Sequence, residues 1–182
     1  SITNILGAIT SFDVNYEVAT PIQTGHELPH DAIRLNDLRK AGPGIVELIY
    51  ADLVINGSME INQGTFNIGT GHNTTIRGDL SVSGTLLTNS VVTFAGAGPQ
   101  SITGSNTVIF SDIVLDQTAP STLTLSIPID ITNGLVVSSA STFDVGTNLL
   151  RLISTNAQTA YVAPLAGGAE IDGSVIVQRH LP

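Results

Sequence analysis

One seven-residue phrase recurs along this chain and restricts its possible folds more than any other feature. Ile55-Asn-Gly57-Ser-Met59-Glu-Ile61 matches Ile76-Arg-Gly78-Asp-Leu80-Ser-Val82 position for position, at an offset of 21 residues. Each copy runs on to a Gly-Thr pair, Gly64-Thr65 and Gly84-Thr85. The phrase returns as Ile131-Thr-Asn-Gly134-Leu-Val-Val137, with one extra residue, and as Ile171-Asp-Gly173-Ser-Val175-Ile-Val177. A second phrase, Thr65-Phe66-Asn67-Ile68-Gly69-Thr70, recurs as Thr142-Phe143-Asp144-Val145-Gly146-Thr147. Short alternating runs broken by Gly and repeating about every 20 residues have the length of one turn of a β-solenoid. One turn cannot bury its apolar side alone, but a stack of turns can.

The alternation assigns the sides. Met59, Ile61, Leu80 and Val82 point inward, while Ser, Glu, Asp and Arg between them face water. Successive rungs then pair their backbones about 4.8 Å apart, with Ile and Val stacking in the interior. Gly and Asn at the corners are expected to take positive backbone dihedrals. Composition agrees: the chain is 42% hydrophobic but only 4% aromatic, which suits a narrow interior of aliphatic stacks. The expected fold is all-β, a right-handed parallel β-helix from about Ile45 to Pro182, with about six rungs spanning some 30 Å. Segments Ala95 to Gln100 and Thr155 to Gly168 are expected to bulge as loops. An antiparallel β-sandwich also yields short strands and frequent turns, and is the alternative.

Residues 1–44 read differently. Alternating apolar positions over Ile2 to Thr10 and Phe12 to Val18 predict two strands. The spacing of Ile33, Leu35 and Leu38, followed by Gly42-Pro43-Gly44, predicts one short helix over Asp31 to Ala41, with Arg39 and Lys40 near its C-terminus. The division is therefore a non-repeat cap or junction over 1–44 and a solenoid over 45–182. The chain starts at Ser1 without Met or a signal pattern and stops at Pro182, so a piece of a longer polypeptide is expected.

Taken in order, the runs Leu53 to Leu86, Val91 to Asp116, Ile129 to Leu152 and Ile171 to Pro182 resemble the β-strand repeat regions of very large surface proteins exported by the type IX secretion system of Bacteroidota. The closing phrase Gly173-Ser-Val175-Ile-Val177-Gln-Arg179 carries part of that likeness. The resemblance implies a secreted, extracellular or cell-surface parallel β-helix used as an adhesin, stalk or fibre. Its partners would be adjoining repeats of the same polypeptide, further copies of the chain, or cell-surface glycans.

Charge removes other classes. Six Lys and Arg against fifteen Asp and Glu, a net charge of -9, cannot neutralise a run of phosphates, so nucleic acid is not expected as a partner. With no Cys there is no disulfide framework, and no window approaches 18 uninterrupted apolar residues, so no transmembrane segment is expected.

Three patterns invite chemistry. His26-Glu27-Leu28-Pro29-His30 satisfies the H-E-x-x-H zinc signature, whose two His must share one helical face. Pro29 disfavours that helix, so the segment is expected to be a loop leading into the helix, with His30 or Asp31 as its cap. The acids Asp79, Asp112, Asp116, Asp130, Asp144 and Asp172, with Arg77, Arg151 and Arg179, could form the cleft of a polysaccharide lyase or hydrolase, which needs carboxylates converging with a base. Spread as they are, they are expected to be solvated groups that keep a coil soluble, and a calcium pattern is lacking. Thr74-Thr75 and Thr122-Leu-Thr124 raise an ice-binding face, but Thr-x-Thr does not recur at the 21-residue offset. No catalytic, cofactor-binding or metal residue is assigned. The expected function is non-enzymatic: a structural or adhesive segment acting by surface contact or assembly. The opposed readings are a polysaccharide-acting enzyme and an ice-binding protein.

Overall fold

The computed structural model describes residues 10–28, 34–118, 120–138 and 140–180. They form a parallel β-solenoid whose rungs each pass along three faces. On the first face lie β1 (Phe12–Tyr16), β3 (Leu35–Lys40), β6 (Met59–Ile61), β9 (Leu80–Val82), β12 (Gln100–Gly104), β14 (Ser121–Leu125) and the starts of β16 (Ser141–Ile153) and β18 (Glu170–Gln178). That is one strand for each of eight rungs. The second face carries β2 (Ile22–Gln23), β4 (Ile45–Leu48), β7 (Thr65–Ile68) and β10 (Thr85–Thr88), then the first halves of β13 (Val108–Leu115) and β15 (Ile129–Val137) and the second halves of β16 and β18. The third face stacks β5 (Leu53–Ile55), β8 (Thr74–Ile76), β11 (Val91–Phe94), the second halves of β13 and β15, and β17 (Tyr161–Val162). Every strand pair is parallel, which excludes the antiparallel sandwich.

The 21-residue phrase gives the register: Ile55 pairs with Ile76, Met59 with Leu80, Glu60 with Ser81 and Ile61 with Val82. Met59, Ile61, Leu80 and Val82 are buried as expected, in one continuous core that also encloses Phe66, Phe94, Phe110 and Phe143. These four phenyl rings are therefore inside the coil, each in a different rung, between aliphatic neighbours, whereas Tyr50 and Tyr161 are exposed.

The later copies of the phrase are not structural equivalents of the first two. Ile55 to Ile61 and Ile76 to Val82 round the corner from the third face to the first. Ile131 to Val137 rounds the corner from second to third, and Ile171 to Val177 the corner from first to second. The second phrase behaves likewise: Thr65–Ile68 lies on the second face, whereas Thr142 to Val145 lies on the first. An inward residue, a Gly and two more inward residues is thus the local wording of any corner of this coil.

The predicted helix is corrected. Asp31 to Ile33 lie outside the described residues, but Leu35–Lys40 is strand β3, in register with β1 and β6. Leu35 and Leu38 are buried in the strand, and hydrogen bonds from both neighbouring rungs outweigh a weak helical spacing only one turn long. Because β1 and β3 continue the first face and β2 pairs with β4 on the second, residues 12–44 supply the first rung and the first-face strand of the second, and no break in the sheet marks position 44.

The corner expectation holds for Gly64, Gly104, Gly146 and Gly173, which have positive φ, but not for Asn. No described Asn has positive φ, and Ala140 is the one non-Gly residue among the described residues that does. Gly57 and Gly78 sit at corners without positive φ, and Gly78 is required by close approach. A Cβ on Gly78 would come within 2.5 Å of the Gly57 carbonyl carbon and oxygen in the rung before.

Candidate functional site

The residues singled out for chemistry are spread over the coil rather than gathered at one place. At the start of the coil, His26 and Glu27 lie in a turn after β2, and His30 is outside the described residues. Glu27 Oε1 accepts from the Tyr16 hydroxyl at 2.8 Å and from the Gly25 amide at 2.8 Å, while the His26 ring lies 5.1 Å from that of Tyr50. Burial by itself raises the Glu27 carboxyl, but hydrogen bonds from Gly25 N–H, the Tyr16 hydroxyl and its own N–H outweigh it and hold the group below its usual value. Burial, reinforced by Glu27, pushes the Tyr16 phenol far above its ordinary range. Glu27 thus serves as an anchor that ties the turn to β1. No group of three or more potential metal ligands occurs among the described residues.

A depressed carboxyl stabilises the fold above its unfolded-state value, and that contribution disappears as pH falls through the folded-state value. Wild type should therefore lose its stability advantage over Glu27→Gln between about pH 5 and pH 3, by under about 1 kcal/mol because the carboxylate is solvent-exposed. Urea unfolding at a series of pH values measures it; parallel curves for the two proteins would contradict the anchor.

On the first face Asp13 and Asp79 are exposed, as expected, and the acids are also joined in a column. Asp13 Oδ1 accepts from the Asp37 amide (3.1 Å), Asp37 Oδ1 from the Ser58 amide (2.7 Å), Ser58 Oγ from the Asp79 amide (3.3 Å) and Asp79 Oδ1 from the Ser101 amide (2.7 Å). Each side chain satisfies a backbone donor one rung on. Asp52 does the same for the Asn73 amide at another corner, and Asp112 accepts from Asn133 Nδ2. Farther along the first face Asp144 and Asp172 are register partners, while Asp112, Asp116 and Asp130 lie elsewhere. Thr75 stacks on Val54 and Thr93, and Thr122 on Thr142, so the Thr positions make mixed columns.

Asp130, 4% exposed, is gripped by Arg151 of the following rung through two 2.6 Å contacts, Nε to Oδ1 and Nη2 to Oδ2. Hydrogen bonding to Asp130 and its charge raise the guanidinium's hold on its proton. Removing one partner should cost more than removing both, because a covered, unpaired carboxylate has lost its water. Arg151→Met is expected to lower Tm further than the double variant Asp130→Leu, Arg151→Met. Equal or reversed Tm values in thermal denaturation would refute this.

Two features had no warning in the sequence. Lys40, predicted at a helix end, is a fully buried inward residue of β3 whose Nζ donates to the carbonyls of Gly42 and Gln63 at the corner toward the second face. Burial lowers its pKa. The second is a cleft of about 350 Å³ on the second face between β10 and β13, flanked by exposed Leu87 and Ile109. Here β10 ends its four-stranded sheet, and the first half of β13 pairs only with β15. Asn106 reaches across, its Nδ2 donating to Ser83 O at 2.8 Å and Gly84 O at 3.3 Å.

No protein-family model, curated protein or solved structure matches this chain. The parallel β-solenoid implied by the resemblance to type IX repeats is present. The phrases that carry the resemblance serve all three corners of the coil, so they describe how a rung turns before they describe a lineage. No helix among the described residues is long and apolar enough to cross a membrane.

Proposed function

We propose that this chain is a structural or adhesive segment of a secreted or cell-surface protein, non-enzymatic, and joined end-on to further rungs of the same polypeptide or of another copy. The observation that carries this reading is the column of cross-rung staples from Asp13 to Ser101, continued in kind by Asp52 and by the Asp130 to Arg151 pair. Side chains that could have been spent on a reacting group are spent on binding rung to rung, which suits a coil that bears load. The last rung adds a contact surface. β18 is paired with β16 along one edge and with no described strand along the other. Its inward residue Val177 is 52% exposed, although its register partner Leu152 is buried. An open strand edge with an apolar platform is a template for another rung.

Negative-stain micrographs over a range of protein concentrations, together with adhesion of protein-coated beads to cell-surface glycan arrays, test the proposal. Rods lengthening in steps of about 40 Å, or bead retention above that of uncoated beads, are expected. Particles of constant size with no retention would overturn it. So would release of reducing or unsaturated ends from a polysaccharide panel at catalytic protein concentrations, which would favour the enzyme reading.

A further inference from the structure

We infer that the junction between the fourth and fifth rungs is a built-in parting line, at which the coil opens before it unfolds and which divides it into two four-rung units. The junctions between rungs 2 and 3, 3 and 4, 5 and 6, and 6 and 7 each carry a hydrogen-bonded ladder on all three faces. Between rungs 4 and 5 the first face is paired through β9 and β12 and the third through β11 and β13, but the second face has no ladder.

The cause is a change in the cross-section of the coil. In rung 3 residues 69–73 separate β7 from β8, and in rung 4 only Asn89 and Ser90 separate β10 from β11. From rung 5 the corner becomes a bend inside a single strand, since β13 and β15 each run from the second face onto the third. Second-face strands shorten with it, from Thr85–Thr88 to the Val108-to-Phe110 half of β13. With the first and third faces held in register, the mismatch falls on the second.

The backbone groups left over can be named. Thr85 N–H donates to Gly64 O in rung 3, so by alternation the amides of Leu86 and Thr88 point at rung 5. Val108 N–H donates to Pro128 O in rung 6, so the Ile109 amide points back at rung 4. No strand takes these three. The Asn106 side chain replaces part of the missing ladder, on the carbonyls of Ser83 and Gly84. Local opening is easiest where few backbone hydrogen bonds and few apolar contacts close a boundary. This inference concerns folding and stands or falls apart from the adhesive reading.

Native-state hydrogen exchange on the intact chain, followed residue by residue with rising denaturant, tests it. The amides of Leu86, Thr88 and Ile109 should exchange at least about tenfold faster than those of Phe66 and Ile68 in the doubly paired β7. The slowly exchanging amides of rungs 1–4 and of rungs 5–8 should fall on two separate isotherms, and Asn106→Ala should widen the separation. Equal protection of the three amides with β7, or one isotherm for all rungs, would overturn the parting line. The wild-type measurement decides even if the variant does not fold.

Discussion

Replacing Gly104 by Ala should cost about 2–5 kcal/mol, among the largest losses available from adding one methyl group to this chain. Gly104 ends β12 with φ at +139°, a conformation that L side chains rarely adopt. A Cβ there would lie 1.9 Å from the Val82 carbonyl oxygen and 2.9 Å from the Val82 nitrogen, both backbone atoms of the rung before. Neither can retreat without breaking the β9 to β12 ladder, one of only two that join rungs 4 and 5. Gly98 is the matched control, since a Cβ on it would meet nothing within 4 Å; Gly98→Ala should stay within about 0.5 kcal/mol of wild type. Denaturant midpoints for the two variants check the pair, and similar values would mean that rung spacing does not select glycine at this corner.

Phe94→Ala should remove about 3–5 kcal/mol. The ring is fully buried on the third face, between Ile76 in the rung before and Leu115 in the rung after. A coil held at 4.8 Å spacing by its backbone ladders cannot collapse around the space, so both the transfer term and the cavity term apply. Domains of this size are stable by only about 5–15 kcal/mol in total, so the loss is a large share. Ile109→Ala, at a residue 55% exposed on the coil's surface, should change stability by no more than about 0.5 kcal/mol. A loss at Phe94 below about 1 kcal/mol would mean that the core repacks freely.

What could be read before folding, and what could not, separates by the range of the interaction. The strand alternation at Met59, Ile61, Leu80 and Val82 is a property of neighbouring residues, and it placed those four inside. Residues Leu35 to Lys40 show the opposite case. Their apolar spacing suits one turn of helix as well as a strand, and the choice was made by ladders to Tyr16 and Ile61, 24 and 21 residues away in the sequence. Lys40 followed the same choice, passing from an expected helix end to the inside of a corner where carbonyls needed a donor. The acids were legible as spaced along the chain but not as staples, because whether an Asp oxygen meets the next rung's amide depends on register and on the shape of the corner. The cleft had no local signature at all, for it arises from a difference between two successive turns.

The sequence by itself determined that this protein is a parallel coil of short, Gly-punctuated strands with an aliphatic interior, because period, alternation and corner residues are local and repeat often enough to reinforce one another. Only the tertiary structure decided that the coil begins before Ile45, that its carboxylates bind rung to rung, and that its second face parts between rungs 4 and 5. Those features depend on how one turn sits on the next, and a change of one or two residues in a corner, too small to alter the pattern along the chain, is enough to separate two strand edges in space.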